Sequence, residues 1–228
     1  MNDASPFRMP EVSGELVESF TGFICDGRED DAAKVIDQML AEGCTPEVLM
    51  LHLLAPSARL MGEFWCQDRR DFVEVTLGLA RLQQLVRQFR LPGGPPGQLR
   101  GNALLLAVPG EQHTFGLRLV EEHLLLAGWR VTAVLKSSEP EIPRLVAGEA
   151  FDFVGFSITS ERLLPALGSA IRNVRTSSRN RSVRIAVGGV LFDGRNFAPR
   201  DIDADAIVKD AQDAVNQANQ WSGLAGVE

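Results

Sequence analysis

The stretch Ala103-Leu104-Leu105-Leu106-Ala107-Val108-Pro109-Gly110-Glu111-Gln112-His113-Thr114-Phe115-Gly116 decides how this chain is read. Its first six residues are apolar without a break, as in a strand buried on both faces. Leu117, Val120, Leu124 and Ala127 then recur at helical spacing, so Thr114 to Ala127 reads as an amphipathic helix that Gly128 ends. An imidazole, His113, therefore lies in the loop between a strand and the helix that follows it. In an open parallel sheet such loops gather at the carboxyl edge, where ligands bind.

The same alternation continues downstream. Strands are expected at 130–135, 152–157, 183–187 and 206–208. Helices are expected through Pro143 to Ala147, from Pro165 with Leu167, Ile171 and Val174 inward, and over 210–221. Strands alternating with helices predict an α/β fold, a five-stranded doubly wound parallel sheet of the Rossmann-like kind. Right-handed crossovers put the loops after strands one, three and four on one edge.

Upstream the period is helical. Leu16, Phe20 and Phe23 share a face in a first helix. Ala32, Val35, Ile36, Met39 and Leu40 stripe a second, which stops near Gly43. Thr45 caps a third with Pro46 at its first position; this helix turns Val48, Leu51, Ala55 and Ala58 inward on the way to Trp65, and Pro56 is expected to kink it. A fourth begins near Phe72, with Val75, Leu79, Leu82, Val86 and Phe89 on one side. Short connections predict an N-terminal four-helix bundle. The run Leu91-Pro92-Gly93-Gly94-Pro95-Pro96-Gly97 can propagate neither helix nor strand and reads as a linker. The expected organisation is a helical bundle over 12–90, a linker over 91–100 and an α/β unit over 101–228.

Composition narrows the function. The formal net charge of −7 argues against unaided binding to DNA, which requires a basic face. Cys25, Cys44 and Cys66 show no paired spacing and read as reduced thiols. No apolar run is long enough to span a membrane and Met1 to Pro10 lacks an apolar signal core, so a cytoplasmic protein is expected. No nucleophile triad and no paired carboxylates share a loop, and independent catalysis is not expected.

Three pieces converge on the predicted carboxyl edge. His113 is the candidate metal ligand, with Glu111 as acceptor for its other N–H. Ser157 and Thr159 end strand three with hydroxyls. Gly188 and Gly189 end strand four without side chains, so a ligand can pass close to the backbone. Gly116 lets the first helical turn lie close to a bulky ring.

With those motifs in that order, residues 101–221 resemble the cobalamin-binding domains of methionine synthase and corrinoid proteins, whose pattern is D-x-H-x-x-G, then S-x-L, then G-G. The resemblance implies that His113 ligates cobalt in place of the cofactor's own benzimidazole, and that the displaced nucleotide tail enters a slot lined by Ser157, Thr159, Gly188 and Gly189. Glu111 stands where the family has Asp, and Thr159 where it has Leu. Met61-Gly62-Glu63-Phe64-Trp65 and Phe72-Val73-Glu74-Val75-Thr76 resemble the helical cap that many members carry over the corrin. Light-sensing members carry a Trp followed further on by Glu-His. Here Trp65 and Glu74 are present and Val75 replaces the His; the alternative for Trp65 is core packing. Residues 62–84 and 110–129 are similar to the AerR/PpaA antirepressors of purple photosynthetic bacteria. That likeness implies a cobalamin-binding, light-responsive transcriptional regulator acting through a DNA-binding repressor of the CrtJ/PpsR type. Two alternatives stay open: a corrinoid carrier subunit of a methyltransferase, and a haem-based redox sensor with His113 as axial ligand.

Two further features lie outside this constellation. His123, beside Glu121 and Glu122, reads as a surface residue. Arg172, Arg175, Arg179, Arg181 and Arg184 form a basic cluster that reads as a solvated helix end, or as a surface that meets an acidic partner.

Overall fold

The computed structural model describes residues 12–89 and 99–223. The chain forms two compact units, residues 1–89 and 90–228. The expected linker lies, apart from Leu99 and Arg100, outside the described residues.

The first unit is helical: α1 (Gly14–Asp26), α2 (Glu29–Ala41), α3 (Pro46–Leu49), α4 (Ala55–Cys66) and α5 (Phe72–Gln88). Side chains cap the starts as local chemistry dictates. Thr45 accepts from the Val48 N–H at the start of α3, and Asp71 and Glu74 form a reciprocal capping box on α5. Gly27 ends α1 at φ 72°, and the Arg81 guanidinium donates to the Ile24 carbonyl at 2.9 Å, tying α5 to that end. The kink expected at Pro56 is instead a π-helical turn, Met50–Leu54, that joins α3 to α4. Proline has no N–H to close the regular ladder, and the backbone widens so that the Ala55 N–H bonds the Met50 carbonyl. The extra residue helps turn a different face inward. Met50, Leu53, Ser57, Met61 and Phe64 are buried, whereas the expected stripe of Val48, Leu51, Ala55 and Ala58 is only half-buried.

The second unit carries five parallel strands: β1 (Asn102–Ala107), β2 (Arg130–Val134), β3 (Phe153–Ser157), β4 (Arg184–Gly188) and β5 (Ala206–Val208), in the order β2-β1-β3-β4-β5. Between them run α6 (Phe115–Leu126), α7 (Glu141–Gly148) and α8 (Leu164–Ser177), and α9 (Ala211–Trp221) follows β5. Alternate residues serve opposite faces. Leu104, Leu106, Val154, Phe156, Ile185 and Val187 pack with α7 and α8. Ala103, Leu105, Ala107, Phe153 and Ala186 pack with α6 and α9, together with buried Trp129, whose Nε1–H donates to Asn219 at 3.0 Å. The winding reverses between β1 and β3, and the register sets Ala107, Ser157 and Gly188 side by side at their carboxyl ends. That reversal makes the crevice in which such sheets hold ligands.

At the other edge, Asp205 holds β4 in place. Its carboxylate accepts from the Ile185 N–H at 2.7 Å and pairs with Arg175 at 2.7 Å and Arg184 at 3.3 Å. Burial pushes this carboxyl up, but the bonds from Ile185 and the two arginines outweigh it and hold it below the usual aspartate range. The ionised form is therefore the one that stabilises the fold. Its contribution is complete above the unfolded value of about 4 and is lost as pH falls through the lower folded value. Thermal melts of Asp205→Asn should show the full loss of stability near neutrality, and the gap from the parent chain should close as the pH drops below about 4. A gap independent of pH contradicts this role.

His123 corrects the sequence reading. It is 2 % exposed, and its Nδ1 lies 2.8 Å from the Leu119 carbonyl. Glu121 and Glu122 are buried with it.

Candidate functional site

The site is built on the loop that leaves β1. The Glu111 N–H bonds back to the Val108 carbonyl at 2.8 Å, and Gly110 takes φ 93° to make that turn. The turn drives the Glu111 side chain inward until its carboxylate is 1 % exposed. A buried carboxylate requires donors, and five contacts meet it. On Oε1 these are the Gln112 N–H at 2.8 Å, the His113 N–H at 2.8 Å and His113 Nδ1 at 2.9 Å. On Oε2 they are the Thr159 N–H at 2.7 Å and the Thr159 hydroxyl at 2.8 Å. Burial pushes the carboxyl up, but these hydrogen bonds more than offset it and hold Glu111 below the usual glutamate range, as the ionised acceptor.

The consequence for His113 is a fixed tautomer. An acceptor-only carboxylate on Nδ1 means that Nδ1 carries the proton and Nε2 keeps its lone pair. The ring itself is 76 % exposed, so the lone pair is presented at the carboxyl edge and not spent inside the fold. Among the described residues no three His, Cys, Asp or Glu side chains gather to hold a metal ion. A single oriented imidazole is the donor set of an axial ligand, in which a macrocycle supplies the other positions. The residues present therefore fit a cobalt corrin.

The two departures from the family pattern prove to be one feature. Glu111 is a methylene longer than the expected Asp, and that length lets it span from His113 to the end of β3. Thr159, in place of Leu, adds a hydroxyl donor beside the backbone N–H that meets the carboxylate, and its Oγ1 also lies 3.2 Å from His113 Nδ1. The pairing leads to a double-variant prediction. Glu111→Asp alone should weaken cofactor affinity by about 10–100-fold, the usual cost of a lost supporting group. Adding Thr159→Leu should recover part of that loss, because it removes the hydroxyl that a shorter acid no longer reaches. Equilibrium titration of both variants checks this, and strictly additive losses contradict the coupling.

The glycines divide by role. At Gly189, φ 125°, an added Cβ would stand 2.0 Å from the Ile158 carbonyl oxygen. This glycine is required by the approach of the β3 and β4 backbones, where the Ile158 N–H also bonds the Gly188 carbonyl at 3.0 Å. At Gly188 an added Cβ would meet Val208 at 3.0 Å. The fold itself requires a bare Gly189, while a methyl at Gly188 would only press on Val208. Gly116 differs: an added Cβ meets nothing within 4 Å, so the first turn of α6 faces open space. Ser157 is 9 % exposed at the sheet edge between Ala107 and Gly188. His113, Glu111, Ser157, Thr159, Gly188 and Gly189 are thus brought to one edge of one unit. Trp65 belongs to the helical unit. It is 52 % exposed on α4, which excludes simple core packing, and neighbouring Cys66 is exposed as well. Glu74 is spent locally on the Asp71 N–H and on Arg70, both at 2.8 Å.

Three residues at this edge escaped the sequence reading. Ser137, after β2, donates to the Ala107 carbonyl at 2.5 Å and anchors a neighbouring loop. Glu161 and Arg195 form an ion pair that joins the loops after β3 and β4. The hydroxyl pair Ser137-Ser138 at a strand end was a visible signal; nothing in the sequence linked Glu161 to Arg195.

Comparison with known proteins places the α/β unit in a family. Residues 101–218 match the B12 binding domain family. The chain is 28% identical over 179 residues to a 20.5 kDa protein encoded in the bchF-crtJ intergenic region of Rhodobacter capsulatus, an alignment that spans 77% of this chain and 93% of that protein. The structure superposes on the monomethylamine corrinoid protein of Methanosarcina barkeri with a TM-score of 0.72 at 15% identity, over 91% of this chain and 99% of that one. With the matched residues carrying His113 and the edge around it, this chain belongs to the B12 binding domain family, and its cofactor is cobalamin.

Proposed function

We infer that this chain is a cobalamin-dependent, light-responsive transcriptional regulator, an antirepressor that acts through a DNA-binding repressor of the CrtJ/PpsR type. The observation that carries this reading is the likeness to the bchF-crtJ intergenic protein, which spans 77% of this chain, more than either unit holds, and so reaches into both. Bound cobalamin supplies a cobalt–ligand bond that light can break. The chain's own part is to hold the cofactor from one side through His113 and to offer a surface that differs between the two states. The helical unit has suitable material for such a surface, since it exposes Phe72, Val73 and Leu77 near the start of α5 in addition to Trp65. The acidic composition supports action through a protein partner and not through the DNA backbone. Among the described residues no helix is long and apolar enough to cross a membrane.

The test is capture of a repressor of that type by the cobalamin-loaded chain, in darkness and after illumination. A light-dependent difference in captured repressor is expected, with His113→Ala capturing equally in both conditions. Methyl transfer through the loaded chain at enzymatic rates, without repressor capture, establishes the carrier reading instead.

A further inference from the structure

The basic cluster of the sequence has no part in the cofactor site, yet the fold gives it a definite form. A cavity of about 640 Å³ opens at the amino-terminal edge of the sheet, opposite the edge that carries His113. Its wall includes Arg100, Arg175, Arg181 and Arg184, together with Asn180 and Trp221. Arg100 precedes β1, Arg175 ends α8, Arg184 opens β4, and Trp221 ends α9. Arg100 and the α8–β4 stretch that holds Arg175, Arg181 and Arg184 thus place four guanidinium groups around one recess, in a chain whose formal net charge is −7.

All four are exposed, and three of them, Arg175, Arg181 and Arg184, are held by side-chain bonds. Arg175 donates to the Val183 carbonyl at 3.0 Å and pairs with Asp205, which also pairs with Arg184. Arg181 donates to the Thr176 carbonyl at 3.0 Å. The backbone below them is pinned as well: the Asp152 N–H bonds the Asn102 carbonyl at 2.8 Å, and the Arg184 N–H bonds the Asp152 carbonyl at 3.1 Å. Acidic charge is too scarce to neutralise the group. One carboxylate, Asp205, serves two arginines, and Asp152, the acid on the wall, accepts from the Asn102 N–H and the Asn180 amide. The tie between Arg175 and Asp205 accounts for the anchoring of the α8–β4 loop. It does not account for Arg100 and Arg181 on the same wall.

We propose that this recess is a second ligand site, independent of cobalamin, that takes a phosphate-bearing small molecule of nucleotide size. Planar guanidinium forks fit phosphoryl oxygens in pairs, and the two forks held by backbone acceptors, Arg175 and Arg181, lose little freedom on binding. The volume falls within the roughly 300–1,000 Å³ of small-molecule sites. The lining is too polar for an apolar ligand, and Trp221 provides its aromatic wall, against which a base can lie.

Isothermal titration of the full, cobalamin-loaded chain tests the site with three probes: ATP, inorganic pyrophosphate and adenosine. ATP and pyrophosphate should bind, more weakly as salt rises, and adenosine should not. ATP binding tighter than pyrophosphate assigns the base to Trp221; equal binding makes the phosphoryl group alone the ligand. Arg181→Glu and Arg100→Glu should each weaken ATP at least about tenfold while the visible spectrum of bound cobalamin stays unchanged. Should a charge reversal disturb that spectrum, Arg100→Gln replaces it, with a smaller loss of the same sign expected. The proposal is overturned if neither anion binds, if adenosine binds as well as ATP, or if variants with an intact spectrum bind ATP as the parent does. None of these outcomes bears on repressor capture, so the site and the regulatory reading fail separately.

Discussion

Gly189→Ala is expected to unfold or severely destabilise the α/β unit. The added methyl would lie 2.0 Å from the Ile158 oxygen, 2.9 Å from its carbonyl carbon and 3.1 Å from its nitrogen. These are backbone atoms, so no side-chain rotation relieves the clash. The φ of 125° is itself a conformation that alanine rarely adopts. Moving the backbone would break the ladder at the β3–β4 end, where the Ile158 N–H bonds the Gly188 carbonyl. The cost should reach about 4 kcal/mol or more, in the range reserved for named structural failures, with a fall in melting temperature of roughly 10 °C. Gly116→Ala provides the contrast. It sits in the first turn of a helix with open space beside it, so the melting temperature should hold or rise slightly. If the corrin lies where Gly116 faces, that variant should instead weaken cobalamin. A Gly189→Ala protein that melts with the parent chain refutes the packing argument.

His113→Ala should abolish the spectral signature of histidine-ligated cobalamin and lower affinity by more than the about 10–100-fold expected for loss of a supporting group. The effect is large because Glu111 has no second imidazole to orient, and no other His, Cys, Asp or Glu cluster among the described residues can replace the donor. The fold should survive, since the ring is 76 % exposed and contributes little packing. Truncation also leaves the Glu111 carboxylate its bonds from Gln112, the His113 backbone and Thr159, so it is not stranded as an unpaired buried charge. Absorption spectroscopy and equilibrium titration measure both parts, and added free imidazole should restore part of the signature. An unchanged spectrum and affinity would remove His113 from the cobalt.

Local chemistry made much of this protein readable. The continuous apolar run of β1, the helical stripe after it and the capping Thr45 are encoded by neighbouring residues, and each occurs where expected within a residue or two. The placement of His113, Ser157 and Gly188 at one edge followed from strand order and crossover handedness, which short-range patterns also imply. His123 was misread because periodicity describes one face of a helix, and burial from the other sides depends on elements far away in sequence. Trp65 showed the reverse failure, since an aromatic residue on a helix carries no mark of whether it is covered.

By itself, the order of residues determined the parallel sheet and the class of cofactor, because those depend on periods, caps and motif spacing. The tertiary structure alone decided that Glu111 reaches Thr159, that Gly189 is bare to clear the Ile158 carbonyl, and that Arg100 joins Arg175, Arg181 and Arg184 on one cavity wall. Each of these is a contact between segments tens of residues apart, and its energy depends on distances of a few tenths of an ångström that no local pattern records.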